Sequence, residues 1–295
     1  VESDGIAEFM THRPRLFALA YRMFGAASEA EDVVQDTYLR WADADRAEIA
    51  NPEAWLTTVT VNLCRSALVS ARARRETYVG PWLPEPVPTG AGALGPLETV
   101  EARESVSLAL LTALERLNPV ERAVFVLREA FGYPHADIAA MLDLTEANSQ
   151  QILHRASARV RTGKQRFTVP AAHARDLIDR FLLAAATGDV NALRALLADD
   201  VVSTADGGGK VTAARRPVHG GDLVARYLIG LTKFLTPASS FSVDEVNGEP
   251  ALVVRADGVV ASSVMLFDLD PDGLVDAIRI VVNPDKLGFL VAAEA

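Results

Sequence analysis

The stretch Ser28-Glu-Ala-Glu-Asp-Val-Val-Gln-Asp-Thr-Tyr-Leu-Arg-Trp41 sets the reading of the whole chain. Ser28 followed by Glu31 has the spacing of a capping box, which predicts a helix starting here. Ala30, Val33, Val34, Thr37, Tyr38 and Trp41 recur at the spacing of a core-facing stripe. Asp32, Gln35, Asp36 and Arg40 gather on the other side, as a solvated surface or as an acidic ridge for a basic partner.

Upstream, Phe9 to Phe24 carries Leu16, Phe17, Leu19, Ala20 and Met23 at helical spacing, and Gly25 is a stop, so a two-helix hairpin is expected. Downstream, 42–51 reads as a loop until Asn51-Pro52-Glu53 opens a helix running to about Arg75. Val79 to Pro96 holds five prolines (Pro81, Pro84, Pro86, Pro88, Pro96) among glycines, which excludes regular helix and marks a domain boundary. Tyr78, Trp82 and Leu83 lie among them. A large aromatic in a linker is costly if exposed, so Trp82 is expected to dock on another domain.

Glu101 to Leu117 reads as a helix, Asn118-Pro119 caps the next, closed by Gly132, and Pro134 opens His135 to Leu142. Asp143-Leu144 turns and Thr145 caps a helix through Val160, which is helix-turn-helix grammar. Gln150, Gln151, His154 and Arg155 suit a major groove, where Gln can pair adenine and Arg guanine. Arg159, Arg161, Lys164 and Arg166 are phosphate candidates.

After Pro170 helices 172–186 and 191–197 precede strands punctuated by Asn247-Gly248, Asp257-Gly258 and Asp270-Pro-Asp-Gly273, so an antiparallel sheet with helices on one side is expected. A further hairpin, Val201 to Ala205 with Lys210 to Ala214, would flank Asp206-Gly207-Gly208-Gly209-Lys210, and a helix is expected over 221–235. The glycine loop lacks the spacing and Ser/Thr of a P-loop, which argues against nucleotide binding.

The chain has 295 residues, enough for two or three domains, and a net charge of -10. A net acidic balance opposes DNA binding, but its distribution matters more. Gln150 to Arg166 holds five basic residues and no acidic one, while Ala172 to Ala295 holds 11 basic against 17 acidic, a net of -6. Two basic stripes, Gln150 to Arg166 and the run Arg65, Arg72, Arg74 and Arg75, can bind DNA locally while the acidic part opposes it. Cys64 is the single cysteine, which excludes an internal disulfide and a thiolate metal cluster. No run reaches the roughly 18 apolar residues of a membrane span and the acidic start is unlike a signal peptide, so a cytoplasmic protein without membrane contact is expected.

The wording of 28–41 resembles the polymerase-binding helix of bacterial extracytoplasmic-function (ECF) sigma factors. That resemblance implies that Asp32, Gln35, Asp36 and Arg40 bind core RNA polymerase. It implies also that Arg46, Asn51, Trp55, Asn62 and Arg65 capture unstacked bases of the promoter minus-ten element, although Trp55 can equally be core. The helix-turn-helix would read the minus-thirty-five element. Trp82-Leu83-Pro84-Glu85-Pro86, the loop Asp206 to Lys210 and the tail Asn283-Pro284-Asp285-Lys286-Leu287 resemble three signatures of the ECF group with a fused C-terminal extension, and the order of elements there resembles the SnoaL-like cone. The implied organisation is multidomain. Two all-α sigma domains, region 2 (1–78) and, past a linker (79–98), the helix-turn-helix region 4 (99–168), precede an α+β SnoaL-like regulatory cone with a curved antiparallel sheet (171–295).

The implied function is an autoregulated sigma factor with core polymerase and promoter DNA as partners, with no cofactor and no metal, and not an enzyme. A small-molecule ligand in the cone stays open. The rivals are a one-component ligand-binding regulator, which leaves 28–41 unexplained, and a fused SnoaL-like enzyme. For the latter Asp206, Arg215, His219 and Asp222 could supply acid-base groups, but spacing alone does not unite them.

Overall fold

The computed structural model describes residues 2–89, 94, 105–161, 171–256 and 260–290. They form two compact units, Val1–Thr77 with Thr89–Gly163 and Tyr78–Pro88 with Lys164–Ala295.

The first unit is helical. Helices α1 (Glu2–Phe24), α2 (Ala27–Asp43) and α3 (Pro52–Glu76) pack around Phe17, Tyr21, Phe24, Trp41, Leu56 and Cys64, each at most 1% exposed. Gly25, at φ 67, closes α1 as expected. The expected capping box does not form. Helix α2 begins at Ala27 with Ala26 as its N-cap and no side-chain cap bond, so Ser28 already lies inside the first turn. The glycine turn is tight enough, with Gly25 N donating to Tyr21 O at 2.7 Å, to restart the helix at once and bury Ala27 and Ala30. Thr37 and Thr60 hydroxyls meet at 3.2 Å between α2 and α3, and Trp41 Nε1 donates to Gly5 O at 2.9 Å, so these buried polar atoms are paired.

In the same unit, α4 (Leu108–Leu114), α5 (Pro119–Phe125, continued by a π-helical turn Val126–Ala130), α6 (His135–Leu142) and α7 (Glu146–Val160) follow. Helix α4 starts at Leu108, capped by Ser107 Oγ; of the helix expected from Glu101, 105–107 are not helical and 101–104 lie outside the described residues. The caps at Asn51, Asn118 and Thr145 are as expected, with a full capping box at Asn118 and Glu121. Asp143, at φ 55, makes the turn between α6 and α7, and α7 buries Ser149, Ile152 and Ala156.

The second unit has α8 (Ala171–Thr187), α9 (Val190–Arg194) and α10 (Gly221–Leu231) over a six-stranded sheet. The strands are β1 (Leu197–Asp206), β2 (Val218–His219), β3 (Ser240–Val246), β4 (Glu249–Arg255), β5 (Ala261–Leu269) and β6 (Val275–Val281). Their order is β2-β1-β6-β5-β4-β3, an open sheet. It is mixed rather than wholly antiparallel. β1 and β6 pair in parallel, Ser203 opposite Ile278, because the chain leaves β1 through a helical crossover before the β3–β6 meander brings it back. Helix residues Leu177, Phe181, Val224 and Leu228 cover Val201, Leu252, Ile278 and Ile280 of the sheet. Asn247 (φ 53) and Gly248 (φ 77) form the two-residue β3–β4 turn that their sequence predicts. Asp257-Gly258 lies outside the described residues.

The hairpin expected at 201–214 is absent. β1 runs on to Asp206, residues 211–214 are irregular, and the antiparallel partner of Val202 and Ser203 is the short strand Val218–His219.

Candidate functional site

Helix α2 presents Asp32, Gln35, Asp36 and Arg40 to solvent, because Val33, Val34, Thr37 and Trp41 take the inner face. Leu39, 53% exposed, joins the same outer face. Its apolar side chain gives no periodicity signal, and only its exposure picks it out. The ridge is thus two carboxylates and an amide beside one apolar contact, a surface that fits a basic partner.

The loop after α2 and the start of α3 surround an open pocket of about 580 Å³ lined by Asp45, Glu48, Asn51, Trp55 and Thr58 among others. Trp55 leans on Trp41, ring centroids 5.7 Å apart, and turns its remaining surface to this pocket. Asn51 spends its side-chain oxygen as the α3 cap, accepting from Ala54 N at 3.0 Å. Arg46 lays its guanidinium on Gly5, so tightly that a Cβ there would overlap it. Asn62 Nδ2 donates to Met141 O of α6 at 3.2 Å, and Asn62 Oδ1 accepts from Arg65 at 3.0 Å. The structure therefore gathers Asn51 and Trp55 at one pocket and holds Asn62, with Arg65 bonded to it, at the helix-turn-helix.

That contact is one of several inside the helical unit. Arg15 Nη2 donates to the Tyr133 hydroxyl at 3.0 Å, and its guanidinium and that of Arg22 lie 5.1 and 5.4 Å from the Phe131 ring centre. Glu115 binds both Arg75 of α3 and Arg122 of α5, the latter at 2.5 Å. Burial would raise the Glu115 carboxyl, but Arg122 and then Arg75 outweigh it and hold the carboxyl below its ordinary value.

On α7 the exposed Gln150, Gln151, His154 and Arg155 surround a shallow depression of about 420 Å³. These four stand on one face because Ile152 and Ala156 are drawn into the core. Arg159 is less available than its sequence suggests, since Glu121 receives Arg159 Nη1 at 2.7 and 2.6 Å. Arg161 is exposed at the helix end. Lys164 and Arg166 lie outside the described residues.

In the second unit the linker is a strap. Leu83 to Val87 are buried, and Trp82 lies against Lys286, whose Nζ is 4.2 Å from its ring centre. The centre of the arrangement is Asp206, at the end of β1 and 0% exposed. Its Oδ1 accepts from the Tyr78 hydroxyl at 2.6 Å and Gly208 N at 3.1 Å; its Oδ2 accepts from Leu83 N at 2.8 Å and Lys286 Nζ at 2.7 Å. Four donors satisfy a buried carboxylate that would otherwise be strongly unfavourable. Lys286 Nζ also donates to Leu83 O at 2.5 Å, and Asn283 Nδ2 to the Tyr78 hydroxyl at 2.8 Å. Burial, then the neighbouring Asp206, push the Tyr78 phenol well up.

The glycine run fits this geometry. Gly208 has φ 59, and a Cβ there would come 2.4 Å from Asn283 Nδ2; Gly209 has φ 73 and lies against Val79. Lys210 pairs with Asp285, so loop and tail are joined by a second ion pair. Farther along, Val87 N donates to Asn247 Oδ1 at 2.9 Å, Asn247 N returns a bond to Val87 O at 3.0 Å, and Pro88 bridges Val246 on edge strand β3. Pro284 and Leu287 complete the turn after β6, with Leu287 2% exposed. Glu85 and Pro86 of the strap are buried. Tyr78 and Asn247 are members that sequence reasoning did not assign; the Asn-Gly turn explains Asn247 locally and hides its second role.

The four acid-base candidates are not brought together as a catalytic set. Asp206 is consumed by the strap, while the Asp222 side chain is 82% exposed and paired with Arg194. His219 and Arg215 are exposed. Among the described residues no group of three His, Cys, Asp or Glu could hold a metal, and no helix is long and apolar enough to cross a membrane.

Residues 9–74 match the model of Sigma-70 region 2, and residues 107–160 that of Sigma-70, region 4. ECF RNA polymerase sigma factor SigJ of Mycobacterium tuberculosis (strain ATCC 25618 / H37Rv) is 39% identical over 290 residues, 95% of this chain and 92% of that protein. The probable ECF RNA polymerase sigma factor SigI of the same strain is 31% identical over 97% of this chain and 96% of its own. The crystal structure of M. tuberculosis SigJ superposes with a TM-score of 0.73 at 38% identity, covering 95% of this chain and 97% of that one. The two matched helical regions, followed by the mixed-sheet unit that the SigJ alignment spans, carry one conclusion: the chain belongs to the extracytoplasmic-function RNA polymerase sigma factors, in the group with a fused C-terminal SnoaL-like domain.

Proposed function

We propose that this sigma factor directs core RNA polymerase to its promoters and that its C-terminal unit governs when it does so, by holding the linker between regions 2 and 4. The α2 ridge binds core polymerase, the pocket at Asn51 and Trp55 takes an unstacked base of the minus-ten element, and Gln150, Gln151, His154 and Arg155 read the minus-thirty-five element. One observation carries the regulatory part: the linker segment Tyr78–Pro88 packs as a member of the C-terminal unit. Regions 2 and 4 have to take up separate promoter elements at once, and a linker fixed to a third unit limits the arrangements open to them, so engagement of both elements favours release of the strap. The Asn62 contact with Met141 points the same way, since it occupies a promoter-reading side chain with region 4 main chain.

Tethering keeps the strap and its seat at high effective concentration, so individually modest bonds can hold it. The extension both restrains and supports activity: removal from Asn283 onward deletes Lys286 and loosens the strap, whereas removal before Asp206 takes away a contact needed for activity. Run-off transcription with purified core polymerase, alongside small-angle scattering, tests this. The shorter truncation should expand the protein and raise transcript yield, and the longer one should lower yield. Unchanged size and yield in both would reduce the C-terminal unit to a passenger.

A further inference from the structure

The glycine loop of the C-terminal unit borders a pocket of about 290 Å³ whose walls are Gly207, Gly209 and Lys210, the segment Thr212 to Arg215, and Val79 and Gly80 of the linker. The walls are largely main chain, brought close where side chains are missing. Gly80 has φ 86, and a Cβ on it would lie 3.8 Å from Arg215 Cα, while one on Gly209 would lie 3.0 Å from Val79 Cβ.

The charge of the lining is one-sided. Lys210 and Arg215 line the pocket and, among the described residues, no acidic side chain does. Asp285 takes one face of the Lys210 ammonium, but that group has three N–H donors and 53% of the side chain stays exposed. Asp206, next to the loop, is buried and matched by Lys286. Arg215 is exposed and makes no ion pair or hydrogen bond among the described residues. The irregular segment that replaces the expected hairpin adds donors, since the N–H groups of Gly209, Thr212, Ala213 and Arg215 reach no carbonyl among the described residues. This surplus of cations and donors stands in a stretch, Ala172 to Ala295, whose net charge is -6.

We infer that this pocket binds a small phosphate-type oxyanion through Arg215, Lys210 and the loop main chain, and that the bound anion clamps the linker at Val79 and Gly80. A planar guanidinium presents paired N–H donors that match such an oxyanion, and main-chain N–H groups in a turn supply the rest of an anion cradle. No aromatic side chain lines the pocket among the described residues, so recognition rests on the charged group and not on a base. Loop and linker are both walls of the site. A ligand that needs both stabilises the seated strap by mass action. The site and the clamp follow from this geometry and are independent of the promoter contacts proposed above.

The test titrates inorganic pyrophosphate, and separately acetate, into the full chain by isothermal calorimetry. Pyrophosphate should bind at a single site and about tenfold tighter than acetate, because two cations face a multiply charged anion. Arg215→Ala should weaken it about tenfold and Arg215→Lys about threefold, the latter keeping the charge without the fork. Arg216→Ala removes an exposed cation that does not line the pocket and should change affinity by less than about twofold. All three positions are at the surface, so the variants should melt as wild type does. At about ten times its dissociation constant, pyrophosphate should slow hydrogen exchange of the Leu83 amide about tenfold in wild type and leave it unchanged at the same concentration in Arg215→Ala. No binding, binding no tighter than acetate, or equal losses in Arg215→Ala and Arg216→Ala would overturn the site. Binding that leaves Leu83 exchange unaltered overturns the clamp. DNA is the other source of the same phosphate chemistry. If pyrophosphate does not bind while Arg215→Ala weakens affinity for duplexes of any sequence, the arginine is a DNA-backbone contact and the small-anion site is wrong.

Discussion

Replacing Asp206 by Asn isolates the strap. In the wild-type protein the carboxylate accepts four bonds and neutralises Lys286, whose side chain is 10% exposed. Asn offers one acceptor oxygen where two stood and leaves a buried ammonium without its counter-ion, a change that costs about 3–5 kcal/mol. The helix-and-sheet core of the unit does not depend on that cluster, so the loss should appear as local opening of the strap rather than as global unfolding. Amide hydrogen exchange reads it at the Leu83 and Val87 N–H groups, which donate to Asp206 and Asn247. Their protection should fall by about two to three and a half orders of magnitude, while Val253 in the buried strand β4 keeps its rate. The double variant Asp206→Asn/Lys286→Met should recover roughly tenfold of that protection, because the second change removes the stranded charge. If Leu83 and Val87 exchange as in wild type in folded Asp206→Asn, the carboxylate does not hold the strap and the reasoning is wrong.

Asp36→Lys should abolish co-purification with core polymerase while moving the melting free energy by no more than about 0.5 kcal/mol, because the side chain is exposed; wild-type yield would remove the docking role. Gln151→Ala and Arg155→Ala should each cost about 1–3 kcal/mol of discrimination at one upstream base pair, measured by competition binding, and equal losses on every sequence would reduce the helix to a phosphate grip. The Glu115 carboxyl is held below its unfolded value of about 4.3, so its contribution to stability is complete above that pH and is lost as pH falls through the lowered folded value. Glu115→Gln should therefore flatten the acid limb of thermal stability for the helical unit, and a limb identical to wild type would show that the Arg75 and Arg122 pairs contribute nothing.

What could be read in advance was local. Asn51, Asn118 and Thr145 announce helix starts because a cap needs only three or four consecutive residues, and Asn247-Gly248 announces a turn because few dipeptides tolerate two positive φ angles. Ser28 misled because a cap motif states what a side chain could do, and the Gly25 turn restarted the helix two residues sooner. The parallel β1–β6 pair and the missing 210–214 strand were illegible for a different reason. Strand patterns show which face is buried but not which neighbour lies alongside. Asp206 is the sharpest case. In a DGGG sequence it looks like an exposed loop acid, and its burial is decided by Tyr78, Leu83 and Lys286, partners up to 128 residues away.

The strap's seat also has a temporal meaning. Lys286 and Asn283 reach back 203 and 205 residues to Leu83 and Tyr78, so the contacts that seat the strap come from residues synthesised long after it. Both sigma regions are complete by residue 160, and at translation speeds of about 5–20 residues per second the locking lysine follows roughly 6–25 s later. Under the regulation proposed above, every newborn molecule passes through an interval in which its two sigma regions exist and its strap is not yet seated. On that proposal restraint is acquired anew during each round of synthesis, and a burst of translation would release a transient pulse of unlatched chains in proportion to its rate.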